Sequence, residues 1–155
     1  MINLKFKNDS TNPDPEYATA GSSGFDLRAN ITHDSNTIPF IEIEPNERAI
    51  IPTGLYFEIP ENYEIQVRSR SGIAAKNGVM VLNSPGTIDQ DFLGMVKIIL
   101  INHSKETFIV NHGDRIAQAV LCPVYSKNLV SLNKIEDLTK TTERSSNGFG
   151  STGLK

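Results

Sequence analysis

Four of the six arginines, Arg68, Arg70, Arg115 and Arg144, fall in short segments dense in glycine, serine and aspartate. Guanidinium groups take phosphate oxygens two at a time, and small residues let backbone N–H groups approach the same anion. In the run from Arg68 to Lys76 (RSRSGIAAK), Ser71 is a capping candidate and Ser71-Gly72 opens a short helix. The first N–H groups of that helix would face outward with partial positive charge. Taken alone, the segment is equally a capped helix with solvated arginines. The run from Val81 to Gly94 (VLNSPGTIDQDFLG) contains Pro85-Gly86, a type II turn signal that predicts a hairpin with exposed backbone at its tip. Such a tip can offer N–H and C=O groups to a flat base edge. Asp89 and Asp91 follow two residues apart, which predicts both carboxylates on one face of a strand. This leaves room for one buried as a base and the other solvated, although by itself an Asp after Thr-Ile is more often a surface residue. Asp26 lies between Phe25 and Leu27 and should point to the face opposite theirs. Gly113-Asp114-Arg115 followed by Gln118 opens a buried strand, where a neighbouring acid and base form a structural pair.

Other chemistries lack their residues. His33, His103 and His112 do not have metal-ligand spacing and have no cysteine partners, so no zinc site is expected. No phosphate-binding glycine loop of the Walker or dinucleotide type occurs. The net charge of −3 argues against a broad nucleic-acid surface, although a bound cation and a few arginines can still hold a phosphate locally. Cys122 is the single cysteine; it sits in the apolar run Ala119-Val120-Leu121-Cys122 and reads as an inert core thiol in a reducing compartment. No apolar run approaches the roughly 18–20 residues of a membrane span, and the first residues lack the apolar middle of a signal peptide. A soluble, cytoplasmic protein is expected.

The elements that must position these groups are almost all strands. With 155 residues the chain fits one domain, long enough to fold without a metal or disulfide staple. Leu4 and Phe6 alternate with lysines, and Ile41-Glu42-Ile43-Glu44 and Tyr63 to Arg68 alternate in the same way. Met95–Ile101 and Ile116–Val124 are nearly continuous apolar runs and read as strands buried on both faces. Turn signals recur every 8–12 residues or so, the spacing of a sandwich or barrel. One stretch, 71–78, predicts a helix of two turns at most, ended by Gly78. Residues 139–155 (TKTTERSSNGFGSTGLK) have the composition of a disordered tail, yet Arg144 is followed five residues later by Phe149 between two glycines.

Five segments, in order, resemble the five motifs of the trimeric dUTP pyrophosphatases (dUTPases): AGSSGFDLRA at 20–29, RSGIAAK at 70–76, GTIDQDFLG at 86–94, GDRIAQAVL at 113–121 and RSSNGFGSTG at 144–153. The resemblance spans nearly the whole chain. It implies an all-β, jelly-roll-like distorted barrel (1–138) with one short helix, and a flexible C-terminal arm (139–155) closing over the site. It further implies a homotrimer with shared active sites and Mg²⁺-assisted hydrolysis of dUTP to dUMP and pyrophosphate. That activity keeps uracil out of DNA and supplies dUMP for thymidylate synthesis. By the same resemblance Asp89 orients and deprotonates the attacking water. Arg70, Ser71 and Gly72 cradle the triphosphate with support from Gln118, and Asn83, Thr87 and Ile88 read uracil, largely through backbone. Phe92 packs on the deoxyribose and Lys97 flanks that pocket. Arg144 reaches the γ-phosphate, Phe149 stacks over uracil, and Gly150, Ser151 and Thr152 complete the phosphate cover. Asp26 lies near the water shell of the metal.

The sequence departs from the family pattern at four positions. Phe92 and Leu93 stand where tyrosine and arginine are usual, which keeps a steric gate against a ribose 2′-hydroxyl but removes one hydrogen bond. Ser145 and Asn147 replace common glycines and should stiffen the arm. Two other readings share the same fold. A dCTP deaminase would need a glutamate aligned at Ile99, and no Asp or Glu occurs between Asp91 and Glu106. A non-catalytic nucleotide-sensing module would not need every catalytic position filled, as they are here.

Overall fold

The computed structural model describes residues 1–31, 40–142 and 145–146. The chain divides into two compact units, Met1–Val124 and Tyr125–Lys155.

The first unit is built from β1 (Lys5–Asn8), β2 (Phe25–Arg28), β3 (Phe40–Ile43), β4 (Arg48–Pro52), β5 (Leu55–Glu58), β6 (Tyr63–Arg68), α1 (Ser71–Asn77), β7 (Val79–Val81), β8 (Gly86–Ile88), β9 (Lys97–Asn102), β10 (Phe108–Asn111) and β11 (Arg115–Pro123). They pair antiparallel into sheets ordered β2-β11-β6-β8, β4-β9-β7, β10-β3 and β1-β5, a jelly-roll-like all-β fold with one short helix, as expected. The helix ends where glycine allows: Gly78 adopts φ 65° and its N–H closes on the Ala74 carbonyl.

Alternation sets the interior. Leu27, Ile51, Ile65, Ile98, Leu100 and Val110 are fully buried, each worth roughly 1.5–3 kcal/mol relative to exposure. Among the described residues three polar side chains are buried with them: Asn30, whose Oδ1 has no hydrogen-bond partner, and Asn102 and Thr53, which are satisfied. Asn102 donates through Nδ2 to the carbonyls of Ile43 and Glu106 (2.8 Å each) and accepts from the Ser104 N–H (2.9 Å). Thr53 donates to the Val96 carbonyl (2.7 Å) and accepts from the Leu55 N–H (3.1 Å). At the β1 edge the Lys5 ammonium bonds to Glu58 at 2.9 Å. The hydrogen bond, and then the charge, hold Lys5 above the usual lysine range. Whatever this exposed pair contributes is present below that range and fades as pH rises through it.

Two expectations need correcting here. Strand β9 is buried on one face only: Ile98, Leu100 and Asn102 face inward, whereas Ile99 and Ile101 on the other face are half-buried. Cys122 likewise points away from the core and is half-buried, its sulfur 3.8 Å from the Arg68 guanidinium. A long apolar run marks a strand without saying what covers its second face. Among the described residues, no helix is long and apolar enough to cross a membrane.

In the second unit, the described residues form neither helix nor strand. Tyr125, Leu129, Leu132, Ile135 and Leu138 are all exposed, Leu132 at 95%.

Candidate active site

The register of the four-stranded sheet gathers one group of polar side chains. Asp26 on β2 lies opposite Gln118 on β11, which lies opposite Arg68 on β6. Phe25 and Leu27 are buried, so the Asp26 carboxylate stands on the outer face, as the spacing predicts. Arg70 reaches it through Nε at 2.9 Å and donates through Nη1 to the Arg115 carbonyl, also at 2.9 Å. Arg115 approaches the other carboxylate oxygen at 3.4 Å. Gln118 donates to the Ser69 carbonyl (2.9 Å), and the Ser69 hydroxyl accepts from the Val81 N–H (2.9 Å). The turn carrying Arg70 is therefore fixed on both sides before any ligand arrives. Two guanidiniums face one carboxylate, and most of their N–H donors make no hydrogen bond among the described residues, which suits an anion.

Helix α1 begins one residue earlier than expected. Arg70, extended at φ −88° and ψ 126°, is the N-cap and makes no side-chain cap; its carbonyl takes the Ala74 N–H. Ser71 is the first helical residue and is exposed, so it does not cap. The leading N–H groups thus keep their donors. A Cβ added at Gly72 would meet nothing within 4 Å, so this fold does not itself require glycine there.

A second group lines an open cleft of about 560 Å³: Thr87, Ile88, Asp89, Phe92, Met95, Val96 and Lys97. Ile88 is buried; Thr87, Asp89 and Lys97 are exposed. The floor is rigid at Val96, whose carbonyl is held by both N–H and hydroxyl of the buried Thr53. The Asp89 carboxylate has no hydrogen-bond or ion-pair partner among the described residues. The Phe92 ring lies against Gly94, where an added Cβ would sit 2.7 Å from its Cζ. Only glycine at 94 lets the ring rest there.

The route into this cleft differs from the expected hairpin. Strands β7 and β8 do not pair with each other: β7 joins β9, and β8 joins β6. The Ser84–Pro85 peptide is cis, and Gly86 does not take the positive φ of a type II turn but starts β8. Asn83 is exposed on this crossing loop, its amide beside Gly86 and not in the cleft lining. Asp89 and Asp91 are not on a strand either, because β8 ends at Ile88 and the Phe92 N–H closes a turn on the Asp89 carbonyl (3.1 Å). Both carboxylates are exposed, as an Asp after Thr-Ile more often is, and neither is buried as a base. The expected Asp114–Arg115 pair is also redistributed. Asp114 accepts from the Asn111 N–H (2.8 Å), and Arg115 turns to Asp26. Asp114 precedes β11, which begins at Arg115, so the two residues fall in different local structures.

Residues 10–153 match the dUTPase family. The chain belongs to the dUTPase family. It is 51% identical over 141 residues to the deoxyuridine 5′-triphosphate nucleotidohydrolase of Chlamydia felis, covering 91% of each chain. To that of Chlamydia pneumoniae it is 52% identical over 145 residues, covering 94% of each. Among solved structures it is similar to a glycine-to-serine mutant of the Staphylococcus bacteriophage 80alpha dUTPase with dUpNHpp, at TM-score 0.80 and 25% identity, covering 99% of this chain and 100% of that one.

Within this dUTPase chain the two groups stand apart. The Asp26–Gln118–Arg68 row and the Ile88–Ile65–Leu121 row are three residues apart along the strands, and β2 and β8 are the two edges of the sheet. From strand spacing and rise, Asp26 and Ile88 are about 17 Å apart. Of the remaining candidate residues of this dUTPase, Arg144, Phe149, Gly150, Ser151 and Thr152 lie outside the described residues. Ser145 is described and adopts φ 46°, the left-handed region open without cost to the glycine usual in the family.

Proposed function

We propose that this chain hydrolyses dUTP to dUMP and pyrophosphate through a water molecule activated by Asp89. Membership of its family makes it an enzyme of the dUTP diphosphatase class, and the curated relatives named above are nucleotidohydrolases of that substrate. The observation that carries the mechanism is the pairing of an exposed carboxylate, unpartnered among the described residues, with a cleft of nucleoside size lined also by Phe92 and by residues of β8. In this reading uracil lies against the backbone of Thr87 and Ile88, and the deoxyribose against Phe92. Asp89 takes the proton of the water as its oxygen bonds to the α-phosphorus; the α–β bridging oxygen leaves with pyrophosphate. Arg70 and the N–H groups of Ser71 and Gly72 hold the phosphates. Arg144 and Phe149, with Gly150, Ser151 and Thr152, close over the ligand from the arm at 139–155 and exclude water.

The donor set fits Mg²⁺ held indirectly. Both oxygens of Asp26 already face guanidiniums, so this carboxylate suits the water shell of a cation better than direct ligation. Bound to the phosphates, Mg²⁺ would offset their charge and assist departure of pyrophosphate.

The separation of the two groups supports a homotrimer with shared sites. Asp26, which holds Arg70, stands about 17 Å from Ile88, beside Asp89, by strand spacing and rise. That separation favours a cradle supplied by a second copy. An apolar outer face on β4-β9-β7 supports such contact: Ile50 is 61% exposed and lies opposite Ile99, with Ile101 opposite Met80. Light scattering should return three chain masses. Pyrophosphate release should follow dUTP and reject dCTP, dTTP and UTP, by ~10⁴-fold where a base edge mismatches. Release from none of them would indicate a binding module, and uridine nucleotide formed from dCTP a deaminase.

A further inference from the structure

Strand β8 leaves the sheet one residue before Asp89, and what happens at Gln90 decides where that carboxylate ends up. Ile88 still pairs with Ile65. Continued by backbone, the ladder would set residue 90 against the start of β6, but the chain turns away instead, with the Phe92 N–H closing on the Asp89 carbonyl. The half-buried Gln90 replaces the missing rung with its side chain: Oε1 accepts the Asn62 backbone N–H at 2.9 Å.

Asn62 is a rigid anchor. It adopts φ 63° in a tight turn where the Tyr63 N–H bonds to the Pro60 carbonyl (3.2 Å), and its own carbonyl accepts from Val124 N–H (2.8 Å) at the end of the first unit. The loop bearing Asp89 and Phe92 is thus moored at its N-terminal side by β8, at its C-terminal side by Val96, and at its middle by one side-chain hydrogen bond. The Asp89 carboxylate has no partner among the described residues, so its placement rests on the turn that Gln90 moors.

We infer that Gln90 is a positioning residue for Asp89, holding the turn so that the carboxylate stands over the α-phosphorus, while contributing nothing to nucleotide binding. This inference rests on the proposed role of Asp89. A side chain of the same length without an acceptor, Gln90→Met, should lower kcat about ten-fold, part of the ~10²–10⁴ that a placed base supplies. KM for dUTP and affinity for a non-hydrolysable imido analogue should stay within two-fold, with the melting temperature nearly unchanged. Gln90→Glu keeps an oxygen for the Asn62 N–H and should recover at least half of the lost kcat. An unchanged kcat in Gln90→Met, or a Glu variant as slow as the Met variant, overturns the inference. A loss shared equally by kcat and analogue affinity would mean that Gln90 shapes the cleft as a whole, and overturns it as well. Asp89→Asn measured alongside separates the two claims. If that variant turns over normally, the reading of Asp89 fails; if it is inactive while Gln90→Met is normal, only the role of Gln90 fails.

Discussion

The cradle around Arg70 and the cleft around Asp89 lie on one sheet of one chain, but they are finished to different degrees. Arg70 is tied to Asp26 and to the Arg115 carbonyl, and its turn is tied again through Gln118 and Ser69. Such a site has its electrostatics organised before binding, so little reorganisation remains when charge develops. The cleft is the reverse: firm at Val96, open above, with Asp89 and Phe92 exposed. Exposure of that kind leaves the Asp89 carboxylate accessible to water. The contrast teaches that one chain fixes its arginine-rich group through internal bonds and leaves its carboxylate-lined cleft open.

The largest test of that contrast is Asp89→Asn, which removes the base and leaves the cradle. The turnover of dUTP should fall by ~10²–10⁴ while analogue affinity stays within a few-fold; near-normal turnover would put the base elsewhere. Next is truncation after Lys140. The shortened chain should melt as the full one does, because the barrel core lies within Met1–Val124, yet lose ~10²-fold in activity with the arm's donors. Full activity would leave the arm without a part. Arg70→Lys should cost about ten-fold in kcat/KM, since an ammonium cannot span Asp26, the Arg115 carbonyl and a phosphate together. A loss confined to thermal stability would make Arg70 purely structural. Smallest is Gly94→Ala, which forces the Phe92 ring aside. It should narrow the preference for dUTP over UTP by a few-fold, leaving dUTP turnover close to normal. Unchanged sugar preference would remove Phe92 as the gate.

The cleft also shows where reading the sequence falls short. Pro85-Gly86 has the composition of a type II turn, and Asp89 and Asp91 have the spacing of a strand face. Both inferences assume that the local chain decides its own path. Here β7 and β8 are claimed by different sheets, and the partners that claim them, β9 and β6, are distant in sequence. The same holds for Ser71, displaced from the cap once Arg70 is fixed by Asp26, forty-four residues earlier in the numbering.

By itself the sequence determined the class of fold, the one helix and its glycine stop, the outward face of Asp26 and the ordered motifs of the family. Each of these follows from side-chain alternation, backbone preference or residue identity, which are local properties. Only the tertiary structure decided that Arg115 serves Asp26 and not Asp114, that Phe92 rests on Gly94, and that Asp26 and Ile88 stand on opposite edges of one sheet. Those outcomes depend on which strands become neighbours, and pairing between distant segments is settled by burial of the whole core, which no short stretch of chain encodes.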